Sequence, residues 1–383
     1  MIYLDYAAAT PVSKSVLKSM LPYFSDQFYN PSSLYLASAK LKSKKDDLRS
    51  KIASVIGSKP SEIIFTAGGS EANNLAIQGV MNLYPEANLI TTNIEHKSVL
   101  APADLFNNNK LEVDAKGHIK LNQLKELIDQ RTVMVSIILA SNEIGVIQKL
   151  AKVKTLINQI IADRKLGGNT LPLYLHTDAS QAGNYLSLSV DRLSVDLMTI
   201  NGGKIYGPKQ SGLLYVRSGI KLKPLIMGGG QEKGMRAGTE SLATIAGLAT
   251  ALEDARVKRE HQSKKMKKLQ LSLISLLAKD KRIKFNGDFK NRLPNNINLT
   301  ITGVDGERLV MELDNLGFMV ATGSACNASD DEPSYVLQAI GLSKEDASSS
   351  LRITVGRSTT QKNIEDFAKT LLNLINTNKF IWL

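Results

Sequence analysis

The sequence predicts an α/β protein in which a mainly parallel β-sheet is wrapped by helices and followed by a smaller α+β region. Two observations lead to this prediction. Between Lys14 and Glu253, short apolar runs alternate with segments of helical periodicity, as is typical of parallel strands joined by helices. Beyond about Ala255 the predicted strands are shorter, and they lead to a compact second region.

Six short apolar runs are the candidate strands of the large sheet. They cover residues 62–66, 88–92, 133–139, 173–177, 196–200 and 212–216. The second region is predicted to contain strands at residues 296–301 and 350–355 and helices at 306–315 and 360–376. We therefore expect a large domain over residues 13–255, and a small domain built from residues 1–12 and 256–383.

The net charge of +12 raises the possibility of a nucleic-acid-binding surface. Ten of the basic residues, however, fall within residues 258–284, where apolar residues recur at helical spacing. These apolar residues are Met266, Leu269, Leu273, Leu276 and Leu277. We interpret the lysines as the solvated face of an amphipathic helix. Direct nucleic-acid binding is not expected, although a docking patch for RNA or an acidic protein stays an alternative.

Composition argues against several classes of site. One cysteine excludes an internal disulfide framework, and four histidines without a His/Cys pair at ligand spacing make a metal site unexpected. No apolar run approaches the roughly 20 residues of a membrane span. The segment Met1–Tyr6 leads directly into sequence that looks folded, without a targeting pattern. We expect a cytoplasmic protein that does not enter a membrane.

Polar residues follow the predicted strands at equivalent positions. Because ligands of such folds collect outside the carboxyl ends of the strands, these residues describe one pocket. They are Gly68, Gly69 and Ser70 after the first strand, Glu95 and His96 after the second, Ser141, Asn142 and Glu143 after the third, Asp178 and Gln181 after the fourth, and Lys204 after the fifth.

Three of these clusters together have the chemistry of a pyridoxal phosphate site. Gly68-Gly69-Ser70 precedes a helical stretch, so backbone N–H groups and the helix dipole converge on an anion; alone, such a turn is a weak signal. Lys204 lies among glycines and is either a surface residue or a Schiff-base nucleophile. Asp178, at the end of an apolar strand, needs a cationic partner, which a pyridinium nitrogen would supply.

His96 and Cys326 are further candidates. His96 either stacks on the pyridine ring and transfers protons, or is a hydrogen-bonded residue at a helix start. Cys326 lies in the small-residue stretch 321–328, directly before an acidic run. This setting favours an accessible, reactive thiol over a buried one, although a lone cysteine is often an inert core residue.

Ordered motifs along most of the chain resemble those of the cysteine desulfurases, fold-type I pyridoxal phosphate enzymes of the class V aminotransferase superfamily. They are found near residues 4–11, 30–33, 65–74, 95–97, 142–145, 176–181, 204–209, 228–232, 236–239, 322–326 and 349–352. The resemblance implies a mainly parallel sheet of seven strands. It also implies that pyridoxal phosphate is the cofactor.

The resemblance assigns the cofactor contacts residue by residue. It implies that Lys204 bonds the cofactor covalently, Asp178 pairs with the pyridinium nitrogen and His96 stacks on the ring. Gln181 would contact the phenolic oxygen. The phosphate would be held by Gly69, Ser70 and Asn201, and by Thr239 from the other subunit of a homodimer.

The resemblance also implies the substrate and the reaction. Asn142 and Arg352 would bind the carboxylate of L-cysteine, and Cys326, on the small domain, would attack its sulfur. Alanine would leave, and Cys326 would keep the sulfur as a persulfide. The spacing from Cys326 to the segment 333–337 matches the long-loop group, which supplies sulfur for iron–sulfur cluster assembly and tRNA thiolation. An iron–sulfur scaffold protein and sulfur-relay acceptors are the expected partners.

Two alternatives remain open at this point. One is a selenocysteine lyase or another class V pyridoxal phosphate enzyme, and the other is a noncatalytic docking protein that lacks the cofactor. The sequence departs from the family where a serine and a histidine usually contact the phosphate, since it has Asn201 and Gly203 there. Asn201 can still donate a hydrogen bond, but Gly203 cannot replace an imidazole. We therefore predict weaker cofactor retention.

Overall fold

The computed structural model describes residues 1–323 and 332–377. The strands are β1 (Ile2–Tyr3), β2 (Ile63–Thr66), β3 (Asn88–Thr92), β4 (Asn107–Leu111), β5 (Thr132–Ser136), β6 (Tyr174–Asp178), β7 (Leu197–Asn201), β8 (Gly212–Val216), β9 (Ile283–Phe285), β10 (Asn296–Ile301), β11 (Phe318–Met319) and β12 (Ser350–Thr354). The helices are α1 (Lys14–Met20), α2 (Leu36–Ile56), α3 (Gly69–Met81), α4 (Lys97–Ala103), α5 (Leu121–Leu127), α6 (Leu150–Leu166), α7 (Val190–Leu193), α8 (Leu242–Leu277), α9 (Gly306–Asn315), α10 (Tyr335–Ala339), α11 (Lys344–Ser348) and α12 (Gln361–Asn376).

A mixed, mostly parallel sheet dominates the described part of the chain. Its seven strands run in the order β2-β8-β7-β6-β5-β3-β4, and only β8 is antiparallel to its neighbours. The predicted α/β class and the seven-stranded sheet are therefore confirmed. Most of these strands are buried along their whole length, because helices cover both faces of the sheet.

Most predicted strands of the large sheet agree with the structure to within one residue, and two larger differences stand out. The edge strand β4 was not predicted, because its sequence Asn-Asn-Asn-Lys-Leu is polar and partly exposed. The predicted strand 133–139 ends at Ser136. Ile137 and Leu139 nevertheless still donate backbone hydrogen bonds to the carbonyl oxygens of His176 and Asp178. The apolar run therefore follows the sheet beyond the last regular ladder position.

A second hydrophobic cluster is built around a small antiparallel sheet of order β12-β10-β9. The amino-terminal strand β1 reaches this region, where it pairs in parallel with β11. The predicted strand 296–301 and helix 306–315 have the expected bounds. The cavity described below is lined by residues from the carboxyl edge of the large sheet and by Arg352 of β12.

Helix α8 is a single helix of 36 residues that joins the two hydrophobic clusters. Its first half packs with the large sheet, and its second half packs with the small one. The predicted boundary between residues 255 and 256 therefore falls inside a helix. Met266, Leu269, Leu273 and Leu277 are buried, which confirms the predicted amphipathic helix. None of the helices within residues 1–323 and 332–377 is both long enough and apolar enough to cross a membrane.

Candidate active site

A cavity of about 230 Å³ opens at the carboxyl edge of the large sheet. Nine residues predicted to bind the cofactor or the substrate line it together. They are Gly69, Ser70, His96, Asn142, Asp178, Gln181, Asn201, Lys204 and Arg352. Thr239 lies instead in a separate cavity with Arg236 and Lys209, and Cys326 lies outside the described residues.

An anion cradle forms one wall of this cavity. Gly68 adopts φ 146°, a backbone conformation that favours glycine, and α3 begins directly after it. A Cβ atom at Gly69 would lie 3.1 Å from both Asn201 Nδ2 and Ser180 Oγ. Two polar side chains therefore face the helix start. Asn201 Oδ1 accepts from Gly203 N at 3.0 Å, and this bond directs Nδ2 of the same amide towards Gly69.

The buried carboxylate of Asp178 is held by neutral donors. Ser180 N donates to its Oδ1 at 2.8 Å, and Asn73 Nδ2 donates to its Oδ2 at 2.8 Å. These neutral donors fix the orientation of the carboxylate but do not neutralise its negative charge. Sequence reasoning did not assign Asn73 a role, although it follows Gly69 by four residues on the same helix and so lies one turn below it.

His96 belongs to the same hydrogen-bond chain. The amide nitrogen of Asn73 also donates to Ser98 Oγ at 2.8 Å, and Ser98 Oγ lies 2.7 Å from His96 Nδ1. The backbone N–H of Ser98 donates to the same Nδ1, as expected for the residue that caps α4. The interpretation of His96 as a hydrogen-bonded residue at a helix start is confirmed. Its ring also lines the cavity, and its contact with a pyridine ring stays a prediction.

The amino-terminal segment supplies the acceptors for Lys204. Lys204 Nζ donates to the carbonyl oxygens of Ala7 and Ala8 at 3.0 and 2.6 Å. Gln181 Nε2 also donates to Ala7 O at 3.0 Å. Residues from the beginning of the chain thus orient two side chains that come from the large sheet.

Arg352 is almost completely buried and also lines the cavity. One guanidinium nitrogen pairs with Asp5 Oδ1 at 2.7 Å, and the other donates to the carbonyl oxygen of Asn142 at 3.4 Å. Sequence reasoning missed Asp5 as a partner of Arg352. The signal available was a single acidic residue between the buried residues Leu4 and Tyr6.

Three buried titratable groups near cavity residues in the sequence have shifted pKa values. Burial raises the pKa of Glu95 to about 8. Burial also raises the pKa of Glu143, against the opposing effects of the Ser334 hydroxyl and the nearby Arg352 and His96. The pKa of His176 is lowered by burial. His176 lies two residues before Asp178 on β6, and its lowered pKa favours the neutral imidazole.

The residues that line the cavity fit pyridoxal phosphate. The cradle at Gly69 suits a phosphate, Asp178 suits a pyridinium nitrogen, and Lys204 is the amine that an aldehyde requires. A Cβ at Gly69 would fill the cradle and crowd Asn201 and Ser180. The close approach that a phosphate needs is therefore possible only because glycine stands there.

The class V aminotransferase family model matches residues 2–367. The chain belongs to the class V aminotransferase family. This family uses pyridoxal phosphate, in agreement with the fit of the site. Among curated relatives, the chain is 37% identical to "Cysteine desulfurase IscS" of Clostridium botulinum, over 99% of this chain and 95% of the relative. It is 40% identical to "Cysteine desulfurase" of Homo sapiens, over 95% of this chain and 79% of the relative.

Solved structures of this family also match the chain over nearly its whole length. A "NifS-like protein" has a TM-score of 0.90 at 30% identity, with 98% of this chain and 99% of that chain covered. "SspA in complex with cysteine" has a TM-score of 0.79 at 35% identity, with 93% and 99% covered. The class V aminotransferase fold is thus shared with proteins whose structures are known.

Proposed function

We propose that this chain is a pyridoxal phosphate-dependent cysteine desulfurase that converts L-cysteine to L-alanine and transfers the sulfur to Cys326. The observation that carries the proposal is one cavity that gathers Lys204, Asp178 and Arg352. The relatives named as cysteine desulfurases support this activity. The neighbour solved with cysteine supports cysteine as the substrate.

Different side chains of the cavity bind the cofactor and transfer the proton. Bound pyridoxal phosphate supplies an electron sink for negative charge at the substrate α-carbon. Asp178 favours positive charge on the pyridine nitrogen, and its bond from Asn73 fixes its direction. Lys204 is the amine that removes and returns the α-proton, since its Nζ projects into the cavity beside Ala7 and Ala8.

Arg352 is placed to bind the substrate carboxylate with the fork of its guanidinium group. Asp5 holds one nitrogen of that fork at 2.7 Å. The pairing fixes the plane of the guanidinium group before the substrate arrives. Asn142 lies beside it on the cavity wall and supplies an amide donor for the same carboxylate.

The sulfur transfer balances without an external oxidant. The thiolate of Cys326 forms an S–S bond to the substrate sulfur while the bond between that sulfur and the β-carbon breaks. The electron pair of the broken bond stays with the carbon, which takes a proton, and alanine leaves. Cysteine and an enzyme thiol therefore become alanine and an enzyme persulfide.

A homodimer and sulfur acceptors complete the proposed function. An exposed apolar segment between α1 and the start of α2 is suited to burial by a second subunit. It includes Phe24, Phe28, Leu34, Tyr35 and Leu36. Thr239 would bind the phosphate in the site of that subunit.

The persulfide would pass to an iron–sulfur scaffold or a sulfur relay. A reducing compartment such as the cytoplasm would allow the single thiol to be regenerated.

The activity is tested with protein reconstituted with pyridoxal phosphate and supplied with L-cysteine. We expect a bound, coloured cofactor, alanine as product and a mass increase of one sulfur atom at Cys326. Lys204→Ala should lose alanine formation. Cys326→Ala should keep the cofactor and lose persulfide formation.

The same assay separates the alternatives. A wild-type protein that binds no cofactor and forms no alanine would be a docking homologue. If Cys326→Ala still released alanine from selenocysteine at the wild-type rate, while the wild type hardly used cysteine, the protein would be a selenocysteine lyase.

A further inference from the structure

The turn that carries Asn142 is held by residues from the smaller region. Two bonds close the turn itself, since Ser141 N donates to the carbonyl oxygen of Val146 and Gly145 N donates to that of Ser141, both at 3.0 Å. The carbonyl oxygens of residues 142–145 instead accept from donors far along the chain. These four residues form the acceptor turn.

Each carbonyl oxygen of the acceptor turn receives its own hydrogen bond. The donors are Arg352 Nη1 to Asn142 at 3.4 Å, Asn296 Nδ2 to Glu143 at 3.0 Å, Arg292 Nη2 to Ile144 at 3.0 Å, and Leu293 N to Gly145 at 2.8 Å. In the opposite direction, Ile147 N donates to the carbonyl oxygen of Asn291 at 2.9 Å. The turn is thus held residue by residue.

The register of the small sheet explains why these donors meet at one place. Asn298 on β10 pairs with Arg352 on β12, and the side chains of paired residues project from the same face of a sheet. Asn296 lies two residues before Asn298 and so shares that face. Asn298 Nδ2 also donates to the carbonyl oxygen of Glu143, at 3.4 Å. One face therefore holds the turn and presents the arginine assigned to the substrate carboxylate.

Asn296 and Arg292 are buried, and their side chains make few other hydrogen bonds. Asn296 is 2% exposed, and its Oδ1 has no hydrogen-bond partner within residues 1–323 and 332–377. Arg292 is 5% exposed. Its Nη2 donates to the carbonyl oxygens of Ile144 and Asn286, while Nε and Nη1 have no such partner in the described part of the chain. Replacing either side chain therefore removes a well-defined contact with the turn.

We propose that Asn296 and Arg292 are positioning residues that hold the acceptor turn against the small sheet, and so set the separation of Asn142 and Arg352 that receives the substrate carboxylate. The inference rests on the proposed desulfurase function. Both residues act through the backbone of the turn and do not touch the substrate. Because a carboxylate bound by two groups requires the correct distance between them, a displaced turn should weaken the binding of amino acids in particular.

Asn296→Leu tests the proposal, and Asn88→Leu is its matched control. Both asparagines begin a strand and are 2% exposed, but Asn88 Nδ2 donates to the carboxylate of Asp129. The probes are L-alanine, the expected product, and ethylamine, which is the same molecule without the carboxylate. The absorbance of the bound cofactor measures both dissociation constants.

Asn296→Leu should weaken L-alanine binding by roughly tenfold, as the loss of about one hydrogen bond to a charged group does. Its affinity for ethylamine should stay nearly unchanged. Asn88→Leu should alter neither affinity. In a double-mutant cycle, Asn296→Leu should have a much smaller effect in an Asn142→Ala background, because the amide that it positions is already absent.

Arg292 provides a second pair of variants. A single nitrogen, Nη2, makes both of its backbone hydrogen bonds, so one ammonium group can replace it. Arg292→Lys should keep most of the affinity for L-alanine, whereas Arg292→Met should lose it selectively, as Asn296→Leu does. If Asn296→Leu does not fold, the comparison of these two variants decides the question.

Equal losses of L-alanine and ethylamine affinity would overturn the positioning role, since they would show a general distortion of the site. Wild-type affinity for L-alanine in Asn296→Leu and Arg292→Met, or an undiminished effect in the Asn142→Ala background, would also overturn it. A wild-type protein that binds L-alanine as expected but forms no alanine from cysteine would instead reject the proposed function.

Discussion

At the scale of single residues, Gly203 leaves open space at the phosphate side of the site. A Cβ there would lie 3.4 Å from Asn201 Oδ1 and 3.7 Å from Lys209 Cα, which are ordinary contacts. A further cavity on this side of the site is lined by Gly69, Ser70 and Lys204 as well as Gly203. A larger side chain therefore has room next to the cradle.

Gly203→His should tighten pyridoxal phosphate binding by roughly three- to tenfold, the effect of about one added hydrogen bond. The reason is that an imidazole can donate to the phosphate, whereas glycine has no side chain. Fluorescence titration of the cofactor-free protein measures the dissociation constant. Gly203→Ala is the control for the added Cβ alone, and equal affinities in the two variants would contradict the prediction.

Some site residues could be predicted from the sequence, and others could not. Lys204, Asp178 and Gly69 could be predicted, because each lies at or shortly after the carboxyl end of a strand, and these ends share one sheet edge. Asn73 and Asp5 could not be assigned their partners, since those contacts join elements that are distant in the sequence. Hydrogen bonds between separate helices and segments depend on packing, which local patterns do not encode.

At the scale of elements, α8 is the connection between the two hydrophobic clusters. Its middle part, around residues 256–261, is largely exposed and is held mainly by its own backbone hydrogen bonds. Periodicity predicted its apolar stripe, but not that one helix would cross the boundary between the regions. The edge strand β4 and the two-residue strands β1 and β11 were missed because polar or very short segments lack a recognisable period.

His261→Pro should lower the free energy of unfolding by about 3 kcal/mol, since proline removes a helical hydrogen bond and clashes with the preceding turn. His261 is exposed, so no packing is lost with its side chain. Urea unfolding followed by circular dichroism measures the change. His261→Ala should be close to wild type; if the two variants unfolded alike, continuity of α8 would not matter to stability.

At the scale of the whole molecule, Glu95 links global stability to pH. Burial raises its pKa from 4.5 to about 8, so the folded protein retains a proton that the unfolded chain releases. The contribution of this protonated group to stability is complete below about pH 4.5, and it is lost as the pH rises towards 8. Its second oxygen lacks a hydrogen-bond partner within the described residues, which agrees with a neutral acid.

Glu95→Gln should remove this dependence, because the amide keeps an oxygen for Thr92 and Ile138 and cannot ionise. Between about pH 5 and pH 8, we expect the variant to gain stability relative to wild type on the order of a few kcal/mol. Denaturant unfolding at each pH measures the difference. The exposed Glu86 provides a control in Glu86→Gln, and a difference from wild type that stays constant with pH would show that Glu95 ionises freely.

The amino-terminal segment has a consequence for how the protein is made. Ala7 and Ala8 hold Lys204, and Asp5 holds Arg352, while β1 pairs with β11. Strand β1 can therefore complete its pairing only after a strand more than three hundred residues later in the sequence has been made. The large sheet can form during synthesis, but a nascent chain that stops before Phe318 has neither the pairing partner of β1 nor the complete pocket.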